Sequence, residues 1–211
     1  MYSDAISQLP IAEVLEQLKR CMSEGNEVVL QAPPGAGKTT IVPLELLDQP
    51  WLQGRKILVL EPRRMAARAA ASRMAELLGD AVGQTVGYRI RMDTCVSENT
   101  RIEVITEGIL TQQLQRDPGL EDVGLVIFDE FHERNLDADL CLALALHGRE
   151  VFREGPALKL LVMSATLASE EVSKLLGNAP IVTSSGRQFP VETHYCEAHQ
   201  LRNSIVQPTI E

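Results

Sequence analysis

The sequence predicts an α/β fold in which a mostly parallel β-sheet is covered by helices on both faces. Short apolar segments rich in β-branched residues alternate with longer helical segments along the 211 residues. The short segments are apolar throughout, which is typical of strands buried on both faces of a parallel sheet. Because parallel strands need crossover connections, the intervening helices must pack on the sheet.

The elements are predicted in chain order from these patterns. An N-terminal helix covers Ile11–Met22 and ends near Gly25. Two further helices cover Met65–Leu78 and Asp137–Leu146, where good helix-forming residues predominate. The alternating segment Gly83–Met92 is either a strand at the edge of the sheet or one arm of a hairpin. The six buried strands are predicted at Val28–Gln31, Ile57–Leu60, Ile102–Thr106, Leu125–Phe128, Leu160–Met163 and Ile181–Thr183.

Composition excludes several classes of protein. A hydrophobic content of 45% supplies a core, and the longest apolar runs, such as Leu142–Leu146, are far below the roughly 20 residues of a membrane span. Met1–Pro10 is polar and acidic, unlike a signal peptide. The 4 cysteines lie far apart without a Cys-x-x-Cys pair. We therefore expect a cytoplasmic protein with reduced thiols and no membrane partner.

The charge is unevenly distributed along the chain. The net charge is −9, which argues against binding a nucleic acid through bulk attraction. Residues 55–101, however, contain nine Lys or Arg and five acids, so this stretch carries +4 and the remainder carries −13. From charge alone the stretch indicates a solvated helix face and strand ends, and its position in the fold must decide between that interpretation and a phosphate-binding groove.

A phosphate-binding loop is predicted where the first strand ends. Glycines let backbone N–H groups turn toward phosphate oxygens, and the following helix offers the positive end of its dipole. Lys38 would reach the β and γ phosphates of ATP, and the Thr39 hydroxyl would bind Mg²⁺. Ala32 departs from the general pattern, which has glycine there. The predicted nucleotide-binding residues of this loop are Ala32, Pro33, Pro34, Gly35, Ala36, Gly37, Lys38, Thr39 and Thr40.

Two other strand ends carry polar residues. Asp129 and Glu130 follow the strand Leu125–Phe128, at the strand end where open parallel sheets bind ligands. Beside the phosphate loop, Asp129 could hold the Mg²⁺ shell and Glu130 could activate the attacking water. Ser164, Ala165 and Thr166 follow another buried strand; alone, such residues usually cap the next helix.

Six motifs occur in the order found in the first motor domain of DEAH-type superfamily 2 helicases, which the chain resembles from about Leu9 to Val191. The resemblance implies a RecA-like P-loop NTPase fold. It implies a domain over residues 1–196, with 197–211 as a linker toward a second motor domain of the same protein. The motifs are the phosphate loop, Glu61–Ala67, Thr106–Leu110, Asp129–Arg134, Ser164–Thr166 and Gly186–Val191.

The resemblance also implies roles for individual residues. His132 would couple the nucleotide site to the second domain and to Ser164, Ala165 and Thr166, and Arg73 would stack on the adenine. With Lys38, Asp129 and Glu130, His132 completes the predicted catalytic set, and Thr39 and Asp129 form the predicted Mg²⁺ site. The residues implied to face the backbone of single-stranded RNA or DNA are Arg63, Arg64, Arg91, Thr106, Glu107 and Gly108.

The resemblance leads to an ATP-dependent RNA or DNA helicase whose NTP hydrolysis drives 3′ to 5′ movement. Such helicases complete the ATP site with arginines of a second domain, and no Gln-x-x-Gly-Arg-x-Gly-Arg sequence occurs in this chain. Little hydrolysis is therefore expected of these residues alone. Two alternatives stay open: a P-loop NTPase or kinase that does not act on nucleic acid, and a nucleic-acid-binding module with a vestigial ATP site.

Overall fold

The computed structural model describes residues 9–133, 135–165 and 169–185 of the chain. Within these residues it contains one eight-stranded sheet in the order β4-β3-β5-β2-β6-β7-β1-β8. All neighbouring strands pair in parallel except β3 and β4, which form an antiparallel hairpin. The strands are β1 (Glu27–Gln31), β2 (Lys56–Leu60), β3 (Val86–Ile90), β4 (Asp93–Cys95), β5 (Ile102–Ile105), β6 (Val123–Phe128), β7 (Lys159–Ser164) and β8 (Ile181–Thr183).

Helices cover both faces of the sheet, which confirms the predicted fold class. Apolar residues of α1, α2 and α3 pack in one buried cluster with one face, and those of α4, α5 and α6 pack in a second cluster with the other. The helices are α1 (Leu15–Glu24), α2 (Lys38–Leu46), α3 (Arg64–Leu78), α4 (Glu107–Arg116), α5 (Leu136–Val151) and α6 (Ser169–Leu175).

The six predicted buried strands and the three predicted helices are confirmed, with ends that differ by up to five residues, the largest difference being the helix predicted to end at Leu146, which continues to Val151. Two of the differences have a local cause. The N-terminal helix begins as a 3₁₀ turn at Pro10–Val14 before α1, because Pro10 has no N–H and suits the first turn of a helix. The strand predicted to include Thr106 ends at Ile105, because Thr106 is the N-cap of α4.

The segment Gly83–Met92 contains β3, which is a hairpin arm but not an edge strand. β3 pairs with β5 on one side and β4 on the other, so the short β4 forms the edge. The two-residue turn Arg91–Met92 joins them, and Met92 has a φ of 64°. The edge interpretation was wrong because three residues of β4 are too few to give a period.

Several sequence-based predictions fall outside the described residues. These are the domain limit at residue 196, the linker 197–211, the motif Gly186–Val191 and the position of Thr166. Among the residues that are described, no helix is long and apolar enough to cross a membrane.

Candidate nucleotide and nucleic-acid site

The candidate site lies along the carboxyl edge of the sheet, because parallel strands all end at the same edge. Every predicted motif among the described residues follows one of these strands. The order of the strands divides the edge in two. β6, β7 and β1 carry the nucleotide motifs, and β3, β5 and β2 carry the motifs assigned to nucleic acid. The residues that follow the strands are Ala32 after β1, Glu61 after β2, Arg91 after β3, Thr106 after β5, Asp129 after β6 and Ala165 after β7.

The phosphate loop forms the tight turn that its glycines predict. Gly35 and Gly37 have φ values of 75° and 92°, in the left-handed region that favours glycine. A Cβ on Gly37 would come within 2.9 Å of Leu9 Cδ1, so this position also lacks space for a side chain. Since α2 begins at Lys38, the loop places the N-terminal end of a nine-residue helix toward any phosphate held there.

Ala32 is accommodated although it replaces the first glycine of the pattern. Its side chain is fully buried in the core cluster of α1–α3, and its backbone N–H donates to Ser164 O at 3.0 Å. Ala32 is not among the residues with positive φ. A Cβ is therefore compatible with this backbone, and the departure does not disrupt the loop.

The Thr39 hydroxyl donates a hydrogen bond to Asp129 Oδ2, so the two predicted Mg²⁺ ligands lie side by side. Asp129 is 4% exposed. Burial raises the pKa of the Asp129 carboxyl group above its ordinary value. The hydrogen bond from Thr39 and the charge of Lys38 reduce this rise but do not cancel it. A hydroxyl and a carboxylate are the oxygen ligands that Mg²⁺ prefers, so this pair fits the ion.

Lys38 and Glu130 form an ion pair, with Lys38 Nζ 2.8 Å from Glu130 Oε1. Lys38 is 4% exposed, so its ammonium group is held within the site. Glu130 has a φ of 50°, and its backbone N–H donates to Asp129 Oδ1 at 2.8 Å. A left-handed conformation at a non-glycine residue is strained, and such strain is concentrated at functional sites. If a phosphate binds at Lys38, a phosphate oxygen would replace the Glu130 carboxylate as the partner of the Lys38 ammonium group.

His132 lies between the Asp-Glu motif and the strand end that follows β7. Its Nδ1 is 3.3 Å from Glu130 Oε2, and it accepts a hydrogen bond from the Ala165 backbone N–H at 3.4 Å. Nδ1 can accept from Ala165 only when it is unprotonated, and it can donate to Glu130 only when it carries a proton. The protonation of one nitrogen thus selects between the two contacts, a geometry suited to the predicted coupling role.

The residues predicted to bind nucleic acid also lie along the carboxyl edge of the sheet. They differ in whether their side chains are exposed and in which groups of the chain they already contact. Arg64 Nη2 donates to the Arg91 carbonyl at 2.9 Å, joining the start of α3 to the β3–β4 turn. Arg63 is exposed and pairs with Glu133. A Cβ on Gly108 would meet no atom within 4 Å, so the first turn of α4 is open.

The side chains of Thr106 and Glu107 are buried. They are 8% and 7% exposed, and the Glu107 carboxylate accepts a hydrogen bond from Asn135 Nδ2 at 3.1 Å. Asn135 also caps α5 by accepting from the Asp137 backbone N–H at 3.0 Å. Thr106 and Glu107 can therefore offer a ligand only backbone groups at the start of α4. Asn135 supports Glu107, and the sequence pattern that could have indicated Asn135 is that of a helix N-cap before Leu136.

The structure does not bring Arg73 into a hydrogen bond with the phosphate loop. Among the described residues, its guanidinium hydrogen-bonds with Glu76 Oε2 at 2.7 Å, one turn along α3. Its stacking on adenine stays a prediction.

Glu61 is a site residue that the sequence patterns did not single out. It is 4% exposed and lines a cavity of about 430 Å³ together with Pro34, Thr39, Glu130 and His132. Burial, with a further contribution from the charge of Asp129, raises the pKa of Glu61 to about 7. The position of Glu61 in a motif assigned to nucleic acid gave no indication of this burial.

Replacing Glu61 with glutamine is expected to change how stability depends on pH. The pKa of Glu61 is raised from 4.5 to about 7 in the folded chain, so between these values the folded state keeps a proton that the unfolded state has lost. The free energy of unfolding must therefore fall as pH rises through this window. Glu61→Gln removes this pH-dependent loss of stability. It should therefore raise the free energy of unfolding at pH 8, relative to pH 4.5, by about 3 kcal/mol.

Urea unfolding followed by circular dichroism at both pH values, with EDTA present, measures the effect. Glu98→Gln, at an exposed carboxylate in the loop after β4, is the matched control. If Glu61→Gln changed the free energy of unfolding equally at both pH values, the raised pKa of Glu61 would be contradicted.

Comparison with known proteins relates most of the chain to one family. A family model described as DEAD/DEAH box helicase matches residues 12–175. The ATP-dependent RNA helicase HrpB of Escherichia coli K12 is 54% identical over 197 residues, which are 92% of this chain and 24% of that protein. An ATP-dependent RNA helicase HrpA homolog of Haemophilus influenzae is 37% identical over 187 residues, covering 89% of this chain and 14% of that protein.

Solved structures agree with these relatives. The crystal structure of the Escherichia coli DEAH/RHA helicase HrpB matches with a TM-score of 0.82 and 54% identity, over 88% of this chain and 23% of that one. A crystal structure of the Escherichia coli DExH-box NTPase HrpB gives a TM-score of 0.81 with the same 54% identity, over 87% of this chain and 22% of that one. The chain thus spans about a quarter or less of the length of these relatives.

Proposed function

Because this chain belongs to the DEAD/DEAH box helicase family, we propose that it is the ATP-binding motor domain of an ATP-dependent helicase that moves on single-stranded RNA or DNA. The family predicted from the six motifs is confirmed, and an ATP-hydrolysing enzyme is what that family implies. The substrate strand, the 3′ to 5′ direction and the use of other NTPs belong to the proposal, since the chain covers 24% of its HrpB relative.

One observation supports the proposal: the nucleotide motifs, after β1, β6 and β7, and the motifs assigned to nucleic acid, after β2, β3 and β5, follow strands that end at the same edge of the sheet, with β2 and β6 adjacent. We call these two groups of strand ends the nucleotide half and the basic half of the edge. ATP bound at the nucleotide half can therefore influence nucleic-acid binding at the basic half, through the residues that follow the neighbouring strands β2 and β6. Asn135 supports this link, because it follows the Asp-Glu motif and holds Glu107 at the start of α4.

In the nucleotide half, the phosphate loop and Lys38 would hold the phosphates of ATP, and Thr39 and Asp129 would hold Mg²⁺. The bound ion would neutralise phosphate charge. Glu130 lies beside Lys38, where it can accept a proton from the attacking water. His132 would then sense the nucleotide through Glu130 and report it to Ala165, with which it shares a hydrogen bond.

In the basic half, Arg64, Arg91 and the open first turn of α4 would contact the phosphates of one strand. A helix N-terminus and guanidinium groups both bind phosphate oxygens. A few basic groups in a groove suffice on an acidic protein, because each phosphate contact releases a counterion. In this proposal, basic residues of the segment 55–101 bind the phosphates of the strand, a role that the charge of the segment alone could not establish.

The proposal includes a second RecA-like motor domain in the same protein, against which this one opens and closes during ATP binding and hydrolysis. It also places the protein in a reducing cytoplasm, in keeping with the free thiols of Cys21, Cys95 and Cys141. The alternative of an NTPase or kinase without a nucleic acid is disfavoured by membership of a helicase family. A vestigial ATP site is disfavoured by the intact Lys38, Asp129 and Glu130.

Removing Arg64 is expected to weaken binding of a single strand and to reduce its dependence on salt. A lost phosphate contact should lower the slope of log affinity against log salt concentration by about 1. The measurement is fluorescence anisotropy of a labelled RNA or DNA strand over a salt series, with the full-length protein in the presence and absence of a non-hydrolysable ATP analogue.

Arg20→Ala is the matched control, because Arg20 is an exposed arginine of α1, outside the carboxyl edge. It removes the same charge and should leave the slope unchanged. Equal slopes for wild type and Arg64→Ala would reject the groove assignment. Failure of the full-length protein to bind any strand, with ADP still bound, would reject the helicase proposal.

A further inference from the structure

We propose that Glu61 is a further residue of the divalent-cation site, where its carboxylate accepts hydrogen bonds from water molecules in the shell of the Mg²⁺ ion. This inference rests on the proposed function, because it concerns the same nucleotide site. It assigns to the start of α3 a role in metal binding in addition to the contacts with nucleic acid proposed for Arg64.

The strand register places Glu61 beside the proposed metal ligand Asp129. Leu60 and Phe128 are partners in the parallel pairing of β2 with β6, and the next residues in each strand direction are Glu61 and Asp129. The Asp129 backbone N–H donates to Leu60 O at 3.0 Å, which continues the pairing beyond the strand ends. Leu60 and Phe128 both pack in the cluster of α4–α6, so alternation directs Glu61 and Asp129 to the opposite face, where the phosphate loop lies.

Glu61 has an oxygen available for a ligand. Glu61 Oε1 accepts a hydrogen bond from the Arg63 backbone N–H at 3.3 Å. No donor among the described residues is within hydrogen-bond distance of Oε2. The side chain is 4% exposed and lines the same cavity as Thr39 and Glu130. Glu61 Oε2 is not among the buried side-chain atoms that lack a partner, so it is open to water in the cavity. Water held by a cation can donate a hydrogen bond to such an oxygen.

The charges around the cavity favour a divalent cation. The carboxylates of Glu61, Glu130 and Glu133 line the cavity, and Asp129 lies beside Glu61 in the strand register. Lys38 is paired with Glu130, and the Arg63 guanidinium is paired with Glu133. Neither Glu61 nor Asp129 forms an ion pair with a Lys or Arg side chain among the described residues, and one doubly charged ion would balance both.

Glu61 belongs in the outer shell rather than among the direct ligands. The described residues contain no group of three or more His, Cys, Asp or Glu side chains arranged to hold a metal ion, and Mg²⁺ usually keeps several waters. Outer-shell partners that orient or hydrogen-bond ligands typically change metal affinity 10-fold to 100-fold when they are removed. The alternative is a purely structural role, in which Glu61 only accepts the bond from Arg63 N–H at the start of α3.

Glu61→Gln separates these roles, because glutamine can still accept the bond from Arg63 N–H but carries no charge. We expect it to weaken Mn²⁺ binding to the chain saturated with ADP by about 10-fold or more, as measured by the electron paramagnetic resonance signal of free Mn²⁺. ADP binding in EDTA, measured with a fluorescent ADP analogue, should stay within about twofold of wild type. Circular dichroism would establish that the variant is folded.

Glu98→Gln, the exposed control, should bind Mn²⁺ as wild type does. If the glutamine variant does not fold, Glu61→Asp, which keeps the charge, should bind Mn²⁺ more tightly than Glu61→Ala, and equal Mn²⁺ affinities of these two variants would overturn the inference. An Mn²⁺ affinity of Glu61→Gln within twofold of wild type would overturn the inference alone. A wild-type chain that bound neither ADP nor Mn²⁺ would overturn the proposed function and this inference with it.

Discussion

Replacing Glu130 with glutamine is expected to lower ATP hydrolysis by the full-length protein about 10²-fold to 10⁴-fold, the range that general base catalysis contributes. The amide has nearly the same shape as the carboxylate, but it cannot accept a proton from water at neutral pH. Binding should survive, because the phosphate loop and the Thr39–Asp129 pair do not depend on the charge of Glu130. Release of inorganic phosphate measures hydrolysis, and a fluorescent ADP analogue measures binding.

The ion pair between Lys38 and Glu130 adds a second expectation for the same variant. In the free protein Lys38 Nζ is 2.8 Å from Glu130 Oε1, so an incoming phosphate must compete with this carboxylate. Glu130→Gln removes the competing charge and should leave nucleotide affinity equal to or higher than that of wild type. Glu98→Gln serves as the control for loss of one negative charge. Hydrolysis within threefold of wild type would reject Glu130 as the base.

The sequence could predict the strands of the nucleotide half because their signals are local. β6 and the centre of β7 are apolar, which is typical of strands buried on both faces of a parallel sheet. The phosphate loop requires glycine at two positive φ angles, and those glycines are visible in the sequence. The common edge then follows from parallel pairing, so Lys38, Thr39, Asp129 and Glu130 could be grouped from the sequence alone.

The position of Glu61 beside Asp129 and the bond of Asn135 to Glu107 could not be predicted, because both depend on which strands or helices are neighbours in the fold. Alternation of strands and helices does not determine that β2 lies beside β6, and only this order brings Glu61 next to Asp129. Similarly, Asn135 reaches Glu107 because α4 and α5 pack side by side on one face of the sheet. Long-range neighbours of this kind leave no period or spacing in the sequence.

Burial changes the interpretation of Glu107, one of the residues predicted to face nucleic acid. Glu107 was grouped with residues that face nucleic acid, yet its carboxylate is enclosed and bonded to Asn135. A buried carboxylate with a donor partner is more useful for fixing the start of α4 than for meeting a phosphate, which would repel it. The motif could therefore indicate the position of the contact, but only the structure distinguishes backbone groups from side chains there.

A polypeptide of these 211 residues alone is expected to bind ATP and to hydrolyse it about 10³-fold to 10⁵-fold more slowly than the full-length protein, the contribution of an arginine finger in P-loop NTPases. The sequence has no Gln-x-x-Gly-Arg-x-Gly-Arg motif. The arginines near the site are also engaged elsewhere: Arg63 pairs with Glu133, and Arg64 donates to the Arg91 carbonyl. The two arginines at the start of α3 are therefore already engaged by other groups of the chain.

Single-turnover hydrolysis of radiolabelled ATP by the chain and by the full-length protein, each with excess single-stranded RNA, measures the difference. A full-length variant with the arginines of the second domain replaced by alanine is the matched control, and it should be about as slow as the chain alone. ADP affinity should be similar in all three, because the phosphate loop is complete in each. Rapid, RNA-stimulated ATP hydrolysis by the 211 residues alone would show that this domain supplies the positive charge that stabilises the transferred phosphoryl group. The proposal that a second motor domain supplies it would then be rejected.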